Sequence, residues 1–421
     1  MSQALTLSSP AKLGLLGALY FSQGLPFGFF TQALPVLLRK QGYTLSQIGL
    51  ASLLAVPWAL KFLWAPLVDR YYFPEMGRRR SWILPLQLAA VLTLFALAAF
   101  DAMHHRAFLF SAVFILNFIA ATQDIATDGL AVDALSFAER GLANGLQVAG
   151  YRVGMIAGGG ALLIFFDQLG ARWTFLAMAG LTALASLPIL LTRERSEIPT
   201  SRKRASGPPS SPLAQFFRRP GVGRILALVV IYKLGDAFAT GMLRPFLADR
   251  GLDLADIGWL LGTVGFVAGL LGALVGGSLV SWLGRKRALL VFGAAAALSI
   301  VGYAYLATAS FSQPQLYVVC SFEHFAGGMA TAALFTSMMD WCVGDNSATE
   351  YTVQASAVVI ATGVATIFSG FSAQALGYAG HFLLGALLAL LAVGAVAWLF
   401  PTPTSVQVEP SPQPGIAREP I

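Results

Sequence analysis

Asn117, Asp124 and Asp128 lie at i, i+7 and i+11 in one long apolar run, so on a helix they fall within about 40° of one another as a single polar stripe. A second stripe, Lys233, Asp236, Thr240 and Arg244, follows the same helical spacing in another apolar run. Lys61, Arg152 and the adjacent pair Glu323-His324 interrupt three more. Ionisable groups in hydrocarbon are costly, so each must be paired, bind a polar cargo or move a proton. Imidazole beside carboxylate has the chemistry to exchange a proton near neutral pH, although adjacent helical positions point about 100° apart and need not touch. The depths suggest partners: Lys61 lies roughly 22 Å into its run and Asp124 stands at a similar level. Either Lys61 or Arg152 can neutralise Asp124 and Asp128, and a purely structural ion pair satisfies the same arithmetic. Asp133 lies about 160° from Asn117 and reads as a solvated end charge. Tyr20, Gln23, Phe27 and Thr31 add a polar and aromatic face to a run broken by Pro26 and Pro35, a break tolerated where a helix lines a cavity. No catalytic set and no metal set appears. His104-His105 reads as a solvated turn, and Gly158-Gly159-Gly160 permits close helix approach without being a nucleotide loop.

These residues need a membrane-spanning scaffold. The 421 residues are 57% hydrophobic and 11% charged, against about 25% charged in soluble domains. A soluble enzyme and a disordered chain are both excluded. Apolar runs recur from end to end, each long enough to cross about 30 Å as a helix, and the length accommodates about twelve. The predicted spans are 11–37, 46–68, 82–100, 107–135, 141–165, 172–191, 224–247, 256–282, 288–308, 315–342, 350–375 and 380–400. The first run reads as a span and not a cleaved leader. Cys320 and Cys342 fall on one helix about 33 Å apart, too far for a disulfide.

Eighteen of the 27 Lys and Arg residues cluster in segments on one side and five on the other, which places both termini and the central loop in the cytoplasm. The net charge of +7 therefore reports topology and contact with anionic lipid, and nucleic acid is not expected. The halves repeat: Arg39–Gly49 aligns with Ala248–Gly258 at an offset of 209, with Pro35 and Pro245 nearly in register. The expected organisation is an amino-terminal six-helix half (1–191), a linker (192–223), a carboxy-terminal six-helix half (224–400) and a Pro-rich tail (401–421). Repeats of this kind place a substrate site at their interface near mid-membrane.

Asp69-Arg70 followed by Gly77-Arg78-Arg79-Arg80, and its weaker copy Gly277 to Ser281 followed by Gly284-Arg285-Lys286, resemble the loop signature of the major facilitator superfamily. The resemblance implies an all-α fold of twelve transmembrane helices in a 6+6 pseudo-repeat. It also implies that Asp69, Arg70, Gly77, Arg78, Arg79, Gly284, Arg285 and Lys286 form a cytoplasmic gate; a topology determinant is the alternative. Lys61-Phe62-Leu63-Trp64-Ala65-Pro66-Leu67-Val68-Asp69-Arg70, Ala121-Thr122-Gln123-Asp124-Ile125-Ala126, Gly150-Tyr151-Arg152 and Tyr232-Lys233-Leu234-Gly235-Asp236 are similar to the AmpG-like permeases, relatives of acetyl-CoA transporters. That branch implies a monomeric importer of the bacterial inner membrane that takes a small-molecule substrate with protons and needs no cofactor. AmpG permeases of anhydro-muropeptides usually carry two further carboxy-terminal helices, whereas the spans here end near Phe400. Gly241-Met242-Leu243-Arg244-Pro245 and Ala348-Thr349-Glu350-Tyr351-Thr352 look more like the RhtX/FptX siderophore permeases. A ferric siderophore is thus the first expectation and a muropeptide the alternative. A non-transporting membrane sensor is the reading from another class.

Overall fold

The computed structural model describes residues 7–42, 51–100, 105–194 and 211–401. The Tyr43–Gly49 part of the repeat, His104, the 195–210 stretch of the linker and the tail beyond 401 lie outside the described residues.

Every regular element described is a helix. The first half contains α1 (Ser9–Gly28), α2 (Leu34–Lys40), α3 (Val56–Leu60), α4 (Ala65–Arg70), α5 (Arg80–Ala99), α6 (Arg106–Ala134), α7 (Arg140–Ile156) and α8 (Leu162–Leu191). After α9 (Pro212–Arg218) come α10 (Val222–Thr240), α11 (Leu243–Asp249), α12 (Leu254–Ile257), α13 (Gly265–Leu283), α14 (Arg285–Thr308), α15 (Gln313–Asp340) and α16 (Ser347–Leu399). Among the described residues nine helical stretches are long and apolar enough to cross a membrane. One of them, Gly344–Leu399, turns back on itself at Gly377 (φ 67°, ψ 172°) and so supplies the last two expected spans. Gly170 (φ 81°) divides α8 in the same way, so α7, a π turn at Ala157–Ala161 and the start of α8 act as one span. Only glycine adopts such a backbone without strain.

Two of the expected spans differ in detail, and the linker has structure of its own. The span placed at 46–68 is, in its described part, a broken path of 3-10 turns (Ser52–Ala55, Lys61–Leu63) and the short helices α3 and α4. Pro57 and Pro66 each remove a backbone donor there. The linker holds a helix, α9, whose Ser211 side chain caps the Ala214 N–H. The span placed at 141–165 runs on to the Gly170 bend.

The helices bury two separate cores, one around Phe29, Leu94, Leu116 and Phe175, the other around Phe246, Ile300, Leu316 and Phe382. A third core spans both halves, with Tyr20 on one side and Tyr232, Leu334 and Tyr351 on the other. The outward faces stay apolar: Leu92, Leu298, Val318, Leu391 and Trp398 are all exposed, as a lipid-facing surface requires. The halves meet where α7 packs on α13 and α15, and where α3, α4 and α6 pack on α16. At the first of these seams a Cβ added to Gly277 would sit 2.5 Å from the Gly141 carbonyl, and one added to Gly145 would sit 2.7 Å from that of Ala273. Backbone therefore rests directly on backbone there.

Candidate functional site

In the first half each polar residue of the α6 stripe has a partner from a different element. Asn117 accepts from Trp58 Nε1 at 3.1 Å. Asp124 takes the Lys61 ammonium, and both groups are buried. Asp128 Oδ1 accepts from the Tyr20 hydroxyl at 2.8 Å and from Gln147 Nε2 at 3.3 Å. Gln23 donates to Thr127 at 3.0 Å, one position from the stripe. Lys61 is thus the partner that Asp124 has. Its ammonium also lies 5.6 Å from the Trp58 ring. Trp58, Phe27 and Tyr151 form a mutually packed trio, with centroid separations of 5.4, 5.7 and 6.3 Å. Thr31 is exposed and donates to the Phe27 carbonyl of its own helix at 2.8 Å.

In the second half Lys233 pairs with Asp236 Oδ2 at 2.6 Å and reaches Thr331 at 3.3 Å, while Thr240 bonds the Asp236 carbonyl. Glu323 Oε2 lies 2.7 Å from His324 Nδ1 and accepts from the Tyr303 hydroxyl at 3.2 Å. The neighbouring imidazole and carboxylate do meet, a contact the 100° step leaves open. His324 Nδ1 also lies 3.1 Å from the Cys320 carbonyl.

Arg152 points away from Asp124. It crosses from α7 to the other half, donates to the Phe266 carbonyl at 3.4 Å and covers the Phe266 ring at 5.2 Å. Gly269 makes room for it, since a Cβ there would collide with Nη1. Among the described residues no carboxylate lies within 4.0 Å of this guanidinium. Arg244 is exposed at the far end of its stripe.

The arginine-rich end is laced shut across the halves. Arg79, fully buried, pairs with Asp69 at 2.7 Å and Asp133 at 2.8 Å and donates to the Ser347 hydroxyl at 2.8 Å. Asp69 Oδ2 accepts from the Thr349 N–H at 2.8 Å and from its hydroxyl at 2.6 Å. Arg78 reaches the Asp345 carbonyl as well as Asp69. Asp133 is therefore a member of this lattice and not a solvated end charge. A second lattice joins Arg140 at 2.8 Å and Arg285 at 2.6 Å to Asp340, and Arg285 also donates to the Phe137 carbonyl. Gly77 (φ 95°) packs on Glu194, whose carboxylate accepts from the Arg79 and Arg80 N–H groups at the head of α5. Burial pushes the Glu194 carboxyl above its usual range against those bonds. Gly284 (φ 81°) opens α14, Lys286 bonds the Ala397 carbonyl, and Arg70 lies against the Tyr71 ring.

The Major Facilitator Superfamily sequence model matches over residues 16–322 and 225–421. The anhydromuropeptide permease of Escherichia coli K12 is 31% identical over 384 residues, 91% of this chain and 78% of that one. The chain belongs to the major facilitator superfamily, in its AmpG-like permease branch. Its members named transporter AmpG 4 in Rickettsia conorii and AmpG 3 in Rickettsia typhi are 28% and 24% identical, over 89% and 90% of this chain. Two solved structures share the fold: the human organic anion transporter MFSD10 (TM-score 0.66, 15% identity, 93% of this chain and all of that one) and the Escherichia coli fucose:proton symporter FucP (TM-score 0.66, 14% identity, 94% of this chain and all of that one). This permease is thus a multi-pass membrane transporter of a small molecule, and not an enzyme.

Several partners escape a sequence reading. Gln147, Tyr303, Ser347, Thr349 and Asp340 complete the charged clusters from distant helices. For Gln147, Tyr303 and Asp340 the sequence signal is only a polar side chain in or at the end of an apolar run, whereas Thr349 stands in the Ala348–Thr352 string, whose resemblance says nothing of its partner.

Proposed function

We propose that this permease imports anhydro-muropeptides across the bacterial inner membrane as a monomer, by proton-linked rocking of its two halves, with both termini in the cytoplasm. The observation that carries the substrate is the 31% identity, over 91% of the chain, to a permease of that name. The relatives favour this muropeptide alternative over the ferric siderophore first expected from the short loop strings. The chemistry of the site agrees with an acidic amino-sugar peptide. The Phe27, Trp58 and Tyr151 rings offer flat apolar faces for the C–H faces of a sugar, and the few polar groups beside them give orientation. Arg152, an intramembrane cation without an ion-pair partner among the described residues, supplies the countercharge for a cargo carboxylate. The arginine bias supports the orientation. The Asp124/Asp128 and Glu323/His324 clusters are the groups through which a proton would be exchanged.

The test is uptake into membrane vesicles carrying only this permease, with labelled anhydro-muropeptide and labelled ferric siderophore offered separately. Muropeptide uptake abolished by an uncoupler is expected. Siderophore uptake without muropeptide uptake would reverse the assignment.

A further inference from the structure

Glu323 on α15 and Asp236 on α10 each use one carboxylate oxygen and leave the other open. Oε2 of Glu323 takes Tyr303 and His324, and Oδ2 of Asp236 takes Lys233. The two remaining oxygens face the same point. A methyl group built on Gly327 would lie 3.7 Å from Glu323 Oε1 and 3.9 Å from Asp236 Oδ1, and outside its own helix backbone it would meet nothing else within 4 Å. The space over Gly327 is thus flanked by a carboxylate oxygen from each of two helices. Beside it, Tyr232, Lys233, Asp236 and Gly327 line a small cavity of about 20 Å³, enough for a single water. Glu323 itself is buried, and with Oε2 occupied by Tyr303 and His324 this slot is where its other oxygen meets a second acid.

We propose that a water held over Gly327 bridges Glu323 to Asp236 and that the transport proton crosses this bridge. The inference rests on the reading that transport is proton-linked. In the step, protonated Glu323 gives its Oε1 proton to the water as the water gives one of its own to Asp236 Oδ1. Glu323 becomes a carboxylate, Asp236 a neutral acid, the water is restored, and no electrons move. Neutral Asp236 then releases Lys233, while His324 holds the new charge on Glu323. The surroundings suit the exchange. Tyr303 faces Glu323 from α14 and His324 from its own helix, with Cys320 behind His324; Lys233 and Thr331 face Asp236, and Arg152 of α7 is the cation across the interface from both acids. α13 carries no titratable side chain, and His381 of α16 bonds the Ala239 carbonyl and neither acid. The bridge gives the Glu323/His324 cluster an outlet for its proton within the second half.

Gly327→Ala tests this, because the methyl fits at ordinary contact distance yet occupies the water's place. In proteoliposomes with labelled anhydro-muropeptide, accumulation driven by an imposed pH gradient should fall roughly 100-fold, the scale of a lost proton-transfer group. Exchange of labelled for unlabelled cargo, which needs no net proton movement, should remain measurable. Equal pH-driven accumulation in wild type and Gly327→Ala overturns the bridge. Exchange without pH-driven accumulation in the wild type overturns the proton-linked reading instead. A cargo-free measurement stands beside these: infrared titration of the purified protein, with the Asp236 carboxyl band assigned by Asp236→Asn. Glu323→Gln should shift that band in the wild-type background and not in Gly327→Ala. A shift of equal size in both backgrounds overturns the bridge whatever the cargo.

Discussion

Removing one hydroxyl from the arginine-rich end should change how often that end opens. Thr349→Val keeps shape and volume but deletes the 2.6 Å bond from the Thr349 hydroxyl to Asp69, which joins the halves. A hydrogen bond to a charged group contributes about 1.5–3 kcal/mol. Asp69 keeps Arg79, Arg78 and the Thr349 N–H, so its charge remains compensated and the loss is close to that one bond. At about 1.4 kcal/mol per factor of ten, the open population should rise roughly 10- to 150-fold. The chain carries its own reporter. Cys342 is a free, half-buried thiol at the same end, bonded to the Met338 carbonyl, whereas Cys320 is free and fully buried elsewhere. Alkylation of Cys342 by a maleimide, followed by mass spectrometry with Cys320 as internal control, reads the open population. If the Cys342 rate in Thr349→Val matches wild type while Cys320 stays protected, the bond does not hold the end closed and the reasoning fails.

Three further outcomes follow from the same contacts. Lys61→Ala leaves Asp124 buried without its cation and should cost about 3–5 kcal/mol, with Lys61→Met/Asp124→Asn recovering part of the loss in detergent thermal unfolding; equal losses in both would dissolve the pair. Burial would raise the Glu139 carboxyl, but bonds from the Ser9 hydroxyl and Ser136, with Lys12 nearby, push it down to about 2 from an ordinary 4.5. Its stabilisation is therefore present above about pH 4.5 and lost as pH falls through about 2, so the gap in unfolding temperature between wild type and Glu139→Gln should close over that window. Gly158→Ala drives a methyl into the Leu25 carbonyl and should abolish folded yield, whereas Gly14→Ala, which meets nothing within 4 Å, should express normally.

The Lys61–Asp124 pair is legible in sequence because depth along a helix is linear in residue number and a buried charge demands a partner. The destination of Arg152 is not, because the choice between Asp124 and the opposite half depends on how two bundles dock. Asp133 misleads for a related reason: its angle relative to Asn117 is correct, but that angle contains nothing about Arg79 or Ser347, which arrive from other helices. Helical runs are announced by composition, yet the interruptions are local events. Pro57 and Pro66 foretell a break, while the reversals at Gly170 and Gly377 hide among 43 glycines, most of which sit within helices.

The bare seam between the halves has a mechanical consequence. Where Gly141 and Gly145 ride on Ala273 and Gly277, backbone meets backbone and few side chains cross, Ser281 onto the Ala138 carbonyl and Arg152 onto Phe266 among them, so a rocking motion there has few rotamers to reset and few ridges to climb. Such a surface behaves as a bearing: it fixes the axis of motion and contributes little to the preference for either end of the stroke. That preference falls to the polar clasps around Asp69 and Asp340, which are few, discrete and able to be outbid by a bound cargo.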